Sequence, residues 1–203
     1  RKNGVVKDNV DGINFLMKKN KIDVLTGVAS FENATTVKIK KDDGSETKIE
    51  SKNIIIATGS KPTVLKGAEP DKKRIITSTE ALNLKEIPKH LIISGGGVIG
   101  LGLGSVYARL GAKVSVIEFT DSLIGMMDKS LGKELEKSLK KIGFEFYFKH
   151  AVSSAVYNGK DVVVKAKDLK SEKEIEFKGD YCLLSVGRSP FTTGLDLDKA
   201  GVK

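Results

Sequence analysis

The feature that most constrains this chain is the run His90-Leu-Ile-Ile-Ser-Gly-Gly-Gly-Val-Ile-Gly100, with Glu118 closing a second apolar run, Lys113-Val-Ser-Val-Ile-Glu-Phe119. In order, these read as a short buried strand, a glycine turn, a helix, a second strand and an acid. Gly95 permits a tight turn, Gly97 lets backbone N–H groups approach a ligand, and Gly100 lets the helix lie close to the strand. A helix N-terminus offers unpaired N–H donors and a partial positive charge, which suit a pyrophosphate. A carboxylate at Glu118 accepts both ribose hydroxyls and repels a 2′-phosphate, so the pattern points to NAD rather than NADP. Glycines in this spacing are weak evidence alone; strand, turn, helix, second strand and acid in sequence are strong evidence.

Composition excludes several classes. The chain has 203 residues, 39% of them hydrophobic, and a formal net charge of +9. The lysines fall in small groups (Lys18, Lys19 and Lys21; Lys72 and Lys73 beside Arg74; Lys140 and Lys141; Lys165, Lys167, Lys170 and Lys173) with no aromatic interleaving and no Trp. They read as solvated faces, so no nucleic-acid partner is expected. The single cysteine, Cys182, sits in the apolar run Tyr181-Cys-Leu-Leu-Ser-Val186 and reads as a small buried hydrophobe. No intrachain disulfide or Cys/His metal cluster is expected. His90 and His150 flank expected strands and read as structural. No run has the length of a membrane span, and no signal peptide is visible. The chain opens at Arg1 without Met, so that absence says little.

The rest of the pattern supplies the architecture. Residues 4–19 have roughly helical spacing, weakened by Gly4 and Gly12. Lys21 to Phe31 reads as a strand. Thr35–Lys40 and Glu46–Ser51 read as a hairpin about the turn Asp42-Asp-Gly-Ser45. Asn53-Ile-Ile-Ile-Ala-Thr-Gly-Ser60 reads as a buried strand ending at small residues. A connector over 61–88 contains a short helix near Ser78–Leu84, entered through Ser78 or Thr79. A helix from about Val98 to Leu110 ends at Gly111. An amphipathic helix spans Asp128–Ile142, and Phe144–Phe148 is a strand. Alternation over Val152–Val156, Asp161–Ala166 and Glu174–Phe177 predicts an antiparallel meander in place of a crossover helix. Leu183–Val186 is the last buried strand. The expected fold is α/β: a Rossmann-like domain, with a parallel sheet, helices and an antiparallel β-meander, joined to part of a second domain.

Several motifs agree in order and spacing with a known family. They are Ile54-Ile-Ile-Ala-Thr-Gly-Ser60, Pro88-Lys-His-Leu-Ile-Ile-Ser-Gly-Gly-Gly-Val-Ile-Gly-Leu101, Gly104-Ser-Val-Tyr-Ala-Arg-Leu-Gly-Ala-Lys-Val114, Val116-Ile-Glu-Phe119 and Ser185-Val-Gly-Arg-Ser-Pro190. The chain resembles the flavin-dependent pyridine nucleotide–disulfide oxidoreductases, and within them the dihydrolipoamide dehydrogenase branch. The resemblance implies that residues 1–60 are the second half of a FAD-binding domain, 61–88 a connector, 89–188 an NAD-binding domain, and 189–203 the start of a return to the FAD domain. It implies NAD contacts at Gly95, Gly97, Val98, Ile99, Gly100, Gly102, Glu118, Val152, Gly187 and Arg188. It implies FAD contacts at Ala29, Thr58, Gly59 and Ser60. Val152 would lie under the adenine or its ribose, and Ala29 stands where the family often has Gly.

The resemblance also implies a parent reaction: electrons pass from dihydrolipoyl groups through a redox disulfide and FAD to NAD. The implied partner is the lipoyl-bearing acyltransferase of 2-oxo acid dehydrogenase complexes, and the implied assembly a homodimer. The implied setting is the bacterial cytoplasm or the mitochondrial matrix. The redox cysteine pair and the acid–base His of the family match nothing here, so no catalytic residue is assigned, and the chain is expected to retain NAD binding at most. An NADH-dependent disulfide reductase, a soluble transhydrogenase and a stand-alone NAD-binding module remain as alternatives. One departure stands out. The family has Glu where this chain has Gly102, so a charge partner at the hydride-transfer site is missing. Either the enzyme is otherwise normal, or its flavin–nicotinamide geometry is altered. Ser94, where an apolar residue is usual, is a milder departure.

Overall fold

A computed structural model describes residues 1–202. The chain divides into two compact units, residues 1–59 with 191–203 and residues 60–190.

The first unit opens with helix α1 (Lys2–Lys19), none of whose residues is buried. An antiparallel sheet follows, built from β1 (Val28–Phe31), β2 (Thr36–Lys40) and β3 (Glu46–Glu50) in the order β1-β2-β3. The β2–β3 pair is the expected hairpin: Lys40 faces Glu46, and Asp43 Oδ1 accepts the Ser45 N–H at 2.8 Å in the turn. Two expectations fail here. The strand expected over 21–31 forms only from Val28. Gly27 lies so close to the neighbouring strand that a Cβ would sit 2.6 Å from Lys40 O, and the chain before it runs free of the sheet. The isoleucine run 54–56 is not a buried strand, and Ile55 is 90% exposed. An apolar run becomes a central strand only where neighbours supply ladder partners, and none among the described residues pairs with it. Its end is held otherwise: Thr58 Oγ1 donates to Phe191 O at 2.6 Å, and Phe191 N–H donates to Gly59 O at 2.9 Å.

The second unit is built on a parallel sheet. Its elements are β4 (Ser60–Pro62), β5 (Ile75–Ile76), α2 (Ser78–Ala81), β6 (His90–Ser94), α3 (Val98–Arg109), β7 (Lys113–Glu118), α4 (Lys129–Lys140) and β8 (Phe144–Phe148). The meander β9 (His150–Tyr157), β10 (Val162–Asp168) and β11 (Glu174–Gly179) follows, then β12 (Tyr181–Leu184) and β13 (Arg188–Pro190). The five-stranded sheet has the order β5-β12-β6-β7-β8, and every pairing in it is parallel. Chain order reverses between β6 and β12, which opens a crevice at the strands' carboxyl ends.

Both faces of this sheet are covered, which explains its uninterrupted apolar strands. Leu91, Ile93, Val114, Val116 and Leu183 pack toward Leu101 and Tyr107 of α3 and Leu139 of α4. Ile92, Ile117, Cys182 and Leu184 pack toward Val162, Val164, Ala166 and Phe177 of the meander. The meander therefore does the covering that a crossover helix would do. Residues 61–88 add strand β5 and the fully buried Ala68 to this core. Helix α2 is one turn long and starts one residue earlier in its cap than expected: Thr77 is the N-cap, its Oγ1 accepting from Thr79 N–H while Glu80 accepts the Thr77 N–H at 2.9 Å. The last buried strand is β12, Tyr181–Leu184, rather than 183–186, because Ser185–Gly187 leave the sheet toward the glycine turn.

Candidate functional site

The glycine turn sits where β6 gives way to α3. Gly95 has φ +103°, and a Cβ there would lie 2.6 Å from Ser185 O. A Cβ on Gly100 would strike Ser185 Oγ and lie 2.7 Å from Gly95 O and 2.8 Å from Ile93 Cγ2. At Gly97 a Cβ would meet nothing within 4 Å, so the space beside the helix start is open. Gly97 is also the N-cap of α3 and, having no side chain, leaves the first-turn N–H donors uncapped. The three glycines thus play distinct roles: strained turn, open approach and close packing.

Glu118 ends β7 beside this turn. Its Oε2 accepts the Gly96 N–H at 2.6 Å, and its Oε1 accepts Thr120 N–H and Thr120 Oγ1–H, each at 2.7 Å. Oε2 keeps a further lone pair for a ligand hydroxyl, while Oε1 is filled by its two donors. Ser185 closes the opposite side, its Oγ donating to Ser94 O at 3.0 Å and to Gly95 O at 3.1 Å. Gly96, Thr120 and Ser185 are not singled out by the sequence motif. Ser185 is bonded to a segment about ninety residues away in sequence, and only the fold brings the two together.

Two cavities open from this point. One, of about 440 Å³, is lined by Gly95, Glu118, Phe119, His150, Val152 and Val186 among others. The other, of about 230 Å³, is lined by Gly97, Val98, Ile99, Gly187 and Arg188 with Pro62 and Ser185. Most of the expected NAD residues therefore line these two cavities, with Gly100 packed beneath the turn. Gly102 lies apart, on the exposed side of α3, in a groove with Ser105, Arg109 and Leu135. Arg188 Nε donates to Ser60 Oγ at 2.7 Å within the β4–β13 ladder, a pairing the sequence reading did not anticipate. Ser60 thus belongs to the second unit. In the first unit Ala29 and Thr58 line a small cavity of about 150 Å³ with Phe31 and Ile56, and Gly59 has φ +77°.

The remaining reactive side chains are quiet. Cys182 is fully buried, and burial pushes its thiol up to about 12. His90 Nε2 lies 2.9 Å from Ser115 Oγ, and burial, then the nearby Lys113, holds its imidazole below the usual value. No group of three or more His, Cys, Asp or Glu is placed to hold a metal ion among the described residues. No helix among them is long and apolar enough to cross a membrane.

A parallel βαβαβ unit with a glycine turn, an acid at the second strand end and a crevice at the reversal point defines the dinucleotide-binding class of α/β fold. Residues 3–203 match the model of the pyridine nucleotide-disulphide oxidoreductase family, and the chain belongs to that family. It is 41% identical over 202 residues to the mitochondrial dihydrolipoyl dehydrogenase of Schizosaccharomyces pombe, covering 99% of this chain and 40% of that protein. It is 41% identical over 192 residues to dihydrolipoyl dehydrogenase 3 of Pseudomonas putida, covering 95% of this chain and 41% of that one. Among solved structures, LpdA of Mycobacterium tuberculosis superposes with a TM-score of 0.87 at 26% identity, covering 98% of this chain and 44% of that chain. The chain thus spans about 40% of the length of the curated relatives it matches.

Proposed function

We propose that this chain is the pyridine-nucleotide-binding portion of a dihydrolipoyl dehydrogenase. The observation that carries the proposal is the Glu118 carboxylate, fixed by the Gly96 N–H at 2.6 Å beside the uncapped start of α3 and facing the larger cavity. Gly95, Gly97, Val98, Ile99 and Gly100 would receive the pyrophosphate, Glu118 the adenosine ribose, and Gly187 and Arg188 the nicotinamide end. A 2′-phosphate would meet the Glu118 charge, so NAD is the expected dinucleotide. Ala29, Thr58 and Gly59 of the first unit would hold part of FAD, which in the parent enzyme would supply electron-pair transfer between a redox disulfide and the nicotinamide. The parent's substrate would be a dihydrolipoyl group on an acyltransferase of a 2-oxo acid dehydrogenase complex. Its assembly would be a homodimer, in a bacterial cytoplasm or a mitochondrial matrix. This chain's one cysteine is buried, so on its own residues it would bind the dinucleotide without oxidising the dithiol.

Calorimetric titration with NADH and NADPH in parallel tests the reading. NADH should bind in preference, and Glu118→Arg should weaken NADH binding by about 10–100-fold, the worth of hydrogen bonds to a charged group. NADH binding that is undiminished in Glu118→Arg would refute the ribose role.

A further inference from the structure

His150 has an unusual hydrogen-bonding state. It opens β9 two residues beyond Phe148, whose Cα is paired with that of Glu118 across β7 and β8. The residue lines the same cavity as Glu118 and Val152. Its Nδ1 lies 2.6 Å from Phe148 O. A carbonyl oxygen can only accept, so Nδ1 carries the proton, and in the neutral ring Nε2 is a bare acceptor. Nε2 is buried, and it is the one buried side-chain nitrogen or oxygen among the described residues that has no hydrogen-bond partner. Its cross-strand neighbour Asp168 does not serve it, since the Asp168 carboxylate accepts from Lys170 N–H at 2.9 Å and Ser171 Oγ–H at 2.6 Å. Tyr147 packs edge-on to the ring at 6.1 Å between centroids, which supports its plane without pairing Nε2.

A buried acceptor left unpaired is costly, and it is completed by a water, an ion or a ligand group from outside the chain. The group needed here is a donor. This inference rests on the dinucleotide reading above: with the ribose on Glu118, an adenine placed in the cavity that Glu118 and His150 both line would stand against His150. Adenine presents an exocyclic amine, a donor of the required kind, whereas hypoxanthine presents a carbonyl oxygen at the same position. We propose that His150 selects the adenine base, its Nε2 accepting a hydrogen bond from the adenine amino group as the half-buried ring tilts toward the cavity that the residue lines. His150 is thus a specificity-determining residue, not a purely structural one.

The test compares NADH with its deaminated analogue, reduced nicotinamide hypoxanthine dinucleotide, by calorimetric titration of the full 203-residue chain at pH 8. The unaltered chain should favour NADH by about 10-fold or more, because the hypoxanthine oxygen would face an acceptor. In His150→Phe, which keeps a ring against Tyr147, the two affinities should come within about 2-fold of each other. In His150→Gln, which restores an acceptor, discrimination should partly return. A ratio near one in the unaltered chain, or an unchanged ratio in His150→Phe, would overturn the proposal while leaving the dinucleotide reading intact. No binding of either dinucleotide by the unaltered chain would overturn that reading, and this inference with it.

Discussion

Two glycines one turn apart or less on the same helix should respond in opposite senses to the same substitution. At Gly102 an added Cβ meets nothing within 4 Å, and the residue is exposed. Gly102→Ala should therefore recover the helix-propensity difference, about 1 kcal/mol of stability. At Gly100 the same gain is opposed by collisions with Ser185 Oγ, with Gly95 O at 2.7 Å and with Ile93 Cγ2 at 2.8 Å. Two of these are poorly able to give: Gly95 O is backbone, and the Ile93 methyl is on a stiff β-branched side chain of the fully buried core. Relief requires α3 to lift off β6, and with three contacts under 3.0 Å the overpacking cost falls in the upper part of the usual range, about 2–3 kcal/mol. Net of propensity, Gly100→Ala should destabilise the second unit by about 1–2 kcal/mol, an unfolding midpoint lowered by about 3–8 °C for a unit of this size. Urea and thermal denaturation followed by circular dichroism measure both variants directly. The reasoning fails if Gly100→Ala is as stable as the parent, or if Gly102→Ala is less stable than it. The second outcome would mean that Gly102 is held by a contact that the packing around α3 does not contain.

Two further outcomes follow from charge and burial. The Cys182 thiol should be inert to a disulfide reagent at pH 8 in the folded chain and react at once in urea, since burial holds it protonated up to about 12. Its folded value exceeds the unfolded one, so its contribution to stability is full below about pH 9 and lost as pH rises toward about 12, which alkaline titration of the unfolding midpoint checks. Asp71 accepts N–H bonds from Lys73, Arg74 and Ile75 at 2.7, 2.8 and 2.8 Å. Burial alone would raise its carboxyl, and the three donors outweigh that and hold it below the usual value. Its stabilisation is therefore present at neutral pH and lost as pH falls from about 4 through the lower folded value. Asp71→Ala should cost about 1–2 kcal/mol at pH 7, discounted for solvent exposure, and less at pH 2.5, as read from urea midpoints at the two values.

Much of the second unit was legible because its signals are local. Gly95, Gly97 and Gly100 have fixed spacing, Leu131, Leu135 and Leu139 repeat at helical period, and Asp128 stands at the N-cap of α4 with its side chain on Ser130 N–H. The meander showed in its alternation, Val162 and Val164 inward with Lys165 and Lys167 outward. Such patterns follow from the 3.6 and 2.0 residue periods of helix and strand, which any short window of sequence records. The isoleucines at 54–56 show where this ends, because their composition is that of a buried strand, but a strand is completed by partners that no window around it contains.

The sequence by itself thus determined the βαβαβ unit, the glycine turn and the acid at Glu118, since each depends on residues close in the chain. Only the tertiary structure decided that Ser185, just past β12, clamps the turn, that Arg188 is tied to Ser60, and that Gly102 lies exposed on α3. It alone left the Nε2 of His150, a residue of the cavity wall, buried without a partner. The physical reason is that hydrogen-bond completion and steric contact depend on distance in space, and the chain records only distance along itself.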